Sequence, residues 1–180
     1  FGLNLIVNRG KTIFICDTSV IEYPDANQLA EMAKSAARVV RLFGFDPKVA
    51  FLSHSTFGQP ATDRTKRLSD AVKILKKDKV DFKFDGEMQP DVALEELYKE
   101  LYPFSEIVGS SNVLIMPSQH SAAISYKMIK SMSRAKVIGP LLIGLGLPIE
   151  IAPLRTSTSE IINLASIAAY SSDVIDYKKD

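Results

Sequence analysis

Apolar residues along the chain follow two alternating periods. Short runs rich in β-branched and aromatic residues occur at residues 12–16, 48–52, 81–84, 112–116, 136–138 and 148–151. Between them the apolar positions return every three or four residues, the spacing of a helix that buries one face. Leu29, Met32, Ala33, Ala36, Val39, Val40 and Phe43 form the clearest such stripe, and Gly44 ends it. Further helices are predicted at residues 63–77, 91–101, 121–132 and 157–170. In the first of these Leu68, Ala71, Val72 and Leu75 face inward, with Lys66, Lys73 and Lys77 outward. Strands alternating with helices predict an α/β domain, a sheet covered on both faces in three α/β/α layers. The polar tail at residues 171–180 is expected to fray.

Hydrophobic residues make up 46% of the 180, enough for one well-filled domain. Lysine and arginine number 22 against 21 aspartates and glutamates, so no global field gathers nucleic acid or an anionic membrane. No apolar run reaches the roughly 18 residues of a membrane helix. Cys16 stands alone in a strand-like setting, which reads as a buried hydrophobe in a reducing compartment and a cytoplasmic protein. The chain opens on Phe1 inside an apolar segment, and we read this as a cut within a longer polypeptide.

In open α/β sheets ligands gather beyond the carboxyl ends of the strands. Ser53-His54-Ser55-Thr56-Phe57-Gly58 follows one strand and precedes a helix, so its hydroxyls and backbone N–H groups are candidates to hold a phosphate, with Arg64, Arg67 or Arg155 assisting. An ordinary capping turn is the competing reading of the same six residues. Asp17 is expected to cap a turn. Asp85, Glu87 and Asp91 place three carboxylates in one loop, with Asp91 an N-cap candidate and no metal-ligand spacing. Ser118, Gln119, His120 and Ser121 follow a fourth strand. Arg155, Thr156 and Ser157 precede the last helix and could clamp an anion or, with Glu160, merely cap it. His54 and His120 lie in no hydrolase or zinc motif.

Six ordered blocks carry a resemblance: Asp17-Thr18-Ser19-Val20, residues 24–31, residues 47–55, Asp85-Gly86-Glu87-Met88-Gln89, residues 112–117 and Ile138-Gly139-Pro140. Together they resemble the phosphate acetyl/butyryltransferase family. The likeness is strongest to the C-terminal phosphotransacetylase-like region of the large bacterial NADP-dependent malic enzymes, where Leu-Ser-His-Ser (here 52–55) and Asp-Gly-Glu-Met (here 85–88) are characteristic. The resemblance implies a fold of two lobes like isocitrate and isopropylmalate dehydrogenases. This chain would be the second lobe, its terminal helix at 157–172 packing on a first lobe that lies elsewhere.

It also implies a ligand, CoA, acetyl-CoA or an acyl phosphate, at Ser53, His54, Ser55, Thr56, Gly58, Asp85, Gln89, Ser118, His120, Arg155 and Thr156. Arg155 and Glu160 would be the catalytic pair, with no metal in this chain. NADP and a divalent metal would belong to an upstream malic enzyme module. The chain departs from the family at Leu154-Arg155-Thr156-Ser157, where a Ser-Arg-Gly motif is expected, and at Phe57, which replaces a lysine. Three readings follow: a regulatory acetyl-CoA-binding domain, an active phosphate acetyltransferase, and an architectural domain that builds a homo-oligomer through apolar surface at 140–147.

Overall fold

The computed structural model describes residues 1–174. Six strands form one mixed sheet: β1 (Gly2–Asn8), β2 (Lys11–Cys16), β3 (Lys48–Leu52), β4 (Lys83–Met88), β5 (Val113–Ile115) and β6 (Lys136–Leu142), in the order β4-β3-β5-β2-β1-β6. β4, β3, β5 and β2 run parallel, and β1 is antiparallel to both of its neighbours. Helices α1 (Ala26–Leu42), α2 (Asp63–Asp78), α3 (Pro90–Leu94), α4 (Gln119–Met132) and α5 (Thr158–Val174) complete the fold. Among the described residues no helix is long and apolar enough to cross a membrane.

Strand side chains alternate between two cores, the behaviour expected of a sheet buried on both faces. Phe14, Val49, Phe51, Val113 and Ile115 point to one core with Leu29, Ala33, Leu68 and Leu75 of α1 and α2, and with Leu164 of α5. Ile15, Ala50, Leu52, Leu114 and Met116 point to the other with Val92, Ala93 and Ala122 of α3 and α4. The three layers read from the sequence are therefore present. Cys16 is fully buried, and burial pushes its thiol pKa up, as suits an inert core residue.

α1 and α2 both start on reciprocal caps. Asp25 accepts from Gln28 N while Gln28 accepts from Asp25 N at α1, and Thr62 and Thr65 do the same at α2. α5 reaches Val174, past the residue where fraying was expected to begin, and residues 175–180 of that tail lie outside the described residues.

Five elements differ from the sequence reading. The strand predicted at 136–138 continues to Leu142, and its pairing with β1 buries Leu141, part of the apolar surface expected at 140–147. β1 is an added strand, closed onto β2 by Arg9 and Gly10, both at positive φ. β4 starts later than residue 81 and runs on to Met88, because Gly86 adopts φ +143° and lets a bulged strand keep pairing with β3. The strand predicted at 148–151 is only one bridge, Leu141 to Glu150. There Glu150 Oε2 is buried without a partner, and burial pushes the carboxyl up to about 7 against a hydrogen bond from the Leu142 backbone.

Finally, the helix predicted at 91–101 breaks into α3 and a 3-10 turn, Glu96–Glu100. The cause is competition for carbonyls. Gly109 N and Ser111 N donate to Val92 O and Ala93 O, the acceptors a continuing α-helix would need.

Candidate functional site

The parallel strands place their carboxyl ends on one side of the sheet, and the loops that follow them meet there. After β2, Asp17 is almost fully buried and accepts from four backbone N–H groups: Gly2 at 2.7 Å, Ser19 at 2.8 Å, Val20 at 3.1 Å and Ile21 at 2.6 Å. This is turn capping, as its sequence setting suggested, and it leaves no carboxylate oxygen free for chemistry.

After β3 the loop is knitted to the end of β4. Glu87, 2% exposed, accepts from Ser55 Oγ at 3.1 Å and from Gly58 N at 2.6 Å, while its carbonyl accepts from Phe57 N at 2.8 Å. Ser53 N donates to Met88 O, and Gln89 N donates to Thr56 Oγ1. The sequence leaves the donors of Ser55 and Gly58 open to an external anion. In the fold an internal anion, the Glu87 carboxylate, already takes them. Phe57 sits at φ +49° with its ring against Phe104 at 4.8 Å and Tyr102 at 5.4 Å. The apolar residue at the family's lysine position thus has aromatic partners.

A cleft of about 410 Å³ opens beside this loop, between the ends of β3 and β5. Ser53, His54 and Ser118 line it with Arg64, Arg67, Tyr23 and Ser121. Arg67 Nη2 donates to Pro117 O at 2.7 Å, Nη1 donates to Pro24 O, and the guanidinium lies 3.5 Å from the centroid of the Tyr23 ring. Its Nε is buried with no partner. Burial draws the Arg67 pKa down, opposed by Tyr23 and Asp25. Ser118 caps α4 by accepting from Ser121 N, and α4 carries no acidic residue in its first turn.

The other predicted residues are dispersed. Arg155 and Thr156 line a separate pocket of about 90 Å³ against β6, with Lys130, Gly139 and Glu160. In the sheet order β2 and β1 stand between β6 and the strands that frame the larger cleft, so within this chain Arg155 does not join Ser53. Glu160 accepts from Ser157 N at 2.7 Å and from Ser157 Oγ at 2.8 Å, and pairs with Lys130 at 3.6 Å. The Ser157 bonds, then Lys130, hold its carboxyl below the ordinary range, which suits a helix cap better than a proton acceptor.

His120 is exposed in the first turn of α4. Asp85 accepts from Gly86 N, and Gln89 is the N-cap residue of α3, so Asp91 is not. Asp91 instead accepts from Val92 N and from the Tyr98 hydroxyl at 2.8 Å. Sequence reasoning missed Tyr23 and the bonding role of Glu87. An aromatic ring just before the Pro24-Asp25 helix start was the available signal for the first, and the glycine preceding Glu87 for the second.

The model of the family described as phosphate acetyl/butaryl transferase matches residues 2–169, and the chain belongs to that family. Among relatives, an NADP-dependent malic enzyme of Rhizobium meliloti is 45% identical over 94% of this chain and 22% of its own length. A phosphate acetyltransferase of Bacillus subtilis is 34% identical over 91% of this chain and 51% of its own. A phosphotransacetylase structure from Streptococcus pyogenes superposes with a TM-score of 0.91 at 29% identity, over 96% of this chain and 53% of that one. The chain thus has a phosphotransacetylase-like α/β fold and spans about a fifth of the first relative and about half of the other two.

Proposed function

We propose that this chain is the C-terminal phosphotransacetylase-like domain of an NADP-dependent malic enzyme, which converts malate to pyruvate and CO2, and that it binds acetyl-CoA as a regulatory ligand. The carrying observation is the split between the sites. A cationic cleft lies at the strand ends, while Arg155 and Glu160 sit together against β6 with Glu160 tied up as a cap. Such a domain keeps a binding surface whose nominated catalytic pair lies apart from it. Among the described residues no group of three His, Cys, Asp or Glu side chains is placed to hold a metal ion. In this reading NADP and a divalent metal would belong to an upstream module, and the protein would be cytoplasmic.

The test is a pair of measurements on the same sample. Calorimetry should detect acetyl-CoA binding, while an assay for acetyl phosphate formed from acetyl-CoA and phosphate should read background. Robust turnover abolished by Arg155→Ala would restore the reading as an active phosphate acetyltransferase.

One further observation favours assembly as a second role. Leu145, Leu147, Ile149, Ile151 and Leu154 are all exposed along one stretch of chain, and clustered exposed apolar residues of this kind mark interfaces. A homo-oligomer through this region should appear in light scattering, and a strict monomer at high concentration would count against it.

A further inference from the structure

α4 gives very little of itself to the core. Ala122 is its only buried residue among those described, whereas Ile124, Met128 and Met132 recur every four residues along an exposed stripe, with Met132 at 81% exposure. From residue 119 to residue 136 the chain carries Lys127, Lys130, Arg134 and Lys136 and no carboxylate. A continuous apolar stripe, rich in Met and flanked by one sign of charge, has the composition of a contact face.

The segment that continues from α3 is its opposite in charge. Residues 91–106 hold Asp91, Glu95, Glu96, Glu100 and Glu106 against Lys99 alone. Leu97 and Leu101 are each 65% exposed and Phe104 is 66% exposed, although the Phe104 ring is held against Phe57 and Tyr102. A ring fixed in place and still open to solvent has already lost much of the rotamer freedom that binding costs. Lys99 pairs with Glu96, Lys83 with Glu106 and Lys130 with Glu160, and among the described residues no ion pair joins this segment to α4. The two opposite charges are therefore not cancelled within one molecule.

Placement decides the occupant. α3 and α4 pack on the same face of the sheet, through Val92 and Ala93 and through Ala122, so the acidic and the basic patch belong to one layer. An anionic surface drawn to α4 would meet the carboxylates of the same layer, and a basic partner drawn to those carboxylates would meet α4. A second copy of the chain offers each patch its complement, and about a two-fold axis both contacts form at once. We infer that this layer is a self-association surface, on which α4 of one copy lies against residues 95–104 of the other. It is separate from the exposed stretch at 145–154 and does not rest on the assembly read from that stretch.

Sedimentation equilibrium of the 180-residue chain tests it with two charge-reversed variants, one carrying Lys127→Glu with Arg134→Glu and the other Glu95→Lys with Glu100→Lys. All four side chains are exposed, so both variants should keep the native thermal transition. Each variant removes the opposition of charge at both contacts of its own dimer. In an equimolar mixture one contact keeps the original charges on both sides and the other has them exchanged. Wild type is expected to dimerise, each variant alone to raise the dissociation constant tenfold or more, and the mixture to recover the dimer. Met128→Asp, which alters the apolar stripe, should weaken the dimer as well. A monomeric wild type, or variants that associate as tightly as wild type, would overturn the inference. Association that is lost in Leu147→Asp but kept in both charge variants would overturn it and leave the surface at 145–154 standing.

Discussion

Glu87 offers the sharpest test of how the loop after β3 is held. Its carboxylate accepts from Ser55 Oγ at 3.1 Å and Gly58 N at 2.6 Å, and it is 2% exposed. Hydrogen bonds to a charged group contribute about 1.5–3 kcal/mol each. Two effects reduce the sum in Glu87→Ala: Ser55 keeps Ser53 Oγ as an alternative partner at 3.2 Å, and Gly58 is exposed to water. A net loss of about 2–4 kcal/mol is expected. Glu87→Gln retains an acceptor oxygen at the same reach and should lose only about 1 kcal/mol, the difference between charged and neutral bonds.

Urea denaturation reads this directly. With a slope of roughly 2 kcal/mol/M the alanine variant should shift the midpoint down by about 1–2 M. A double-mutant cycle of Ser55→Ala with Glu87→Ala should give a coupling of about 1 kcal/mol. Additive losses, or an alanine variant within about 0.5 kcal/mol of wild type, would refute the view that this carboxylate organises the loop.

Three other outcomes follow from the fold. Gly86→Ala places a Cβ 2.8 Å from Phe51 O at φ +143°, where backbone cannot yield, and should cost about 2 kcal/mol or more in thermal denaturation. Asp17→Ala strands four backbone donors and should cost about 3–5 kcal/mol, with Asp17→Asn recovering part of it in the same urea assay. Glu150 has a folded pKa raised to about 7 by burial, so the stability it permits is fully present below its ordinary value of 4.5 and is lost as pH rises through 7. The wild-type melting temperature should therefore fall between pH 5 and 8 relative to Glu150→Gln, and parallel curves would show that the carboxyl is solvated.

What the sequence revealed depended on whether the deciding contacts were local. β3 was legible to the residue, because Val49-Ala50-Phe51-Leu52 is buried on both faces and must read as an unbroken apolar run. The α1 stripe was equally plain. β1 was not, since Gly2 and Asn4 interrupt its apolar run and Arg9 is an unusual residue for its turn. The break after Leu94 could not be read at all, because it is imposed by Gly109 and Ser111 from across the fold.

The site shows the same division. Ser53, His54 and Ser118 reached one cleft because each lies within three residues of the carboxyl end of β3 or β5. The fixing of Arg67 depends on Pro24, 43 residues away, and Pro117, 50 away, and no local pattern encodes it. Arg155 was grouped with the cleft from its guanidinium and from the family resemblance, whereas the sheet order puts it at β6.

β1 has a consequence for how the molecule assembles. One of its edges meets β2 across a two-residue turn and can close as soon as Cys16 exists, while its other edge stays bare until β6 arrives more than a hundred residues later. Phe1 and Ile143 then exchange a pair of backbone bonds at 2.9 Å that ties the first residue of the chain to its last third. The early hairpin is thus a template with one open side, and β6 and α5 are late arrivals that dock onto it. A lesion in Gly2–Asn8 would strike the last elements as hard as the first, because among the described residues β1 is the strand that β6 pairs with.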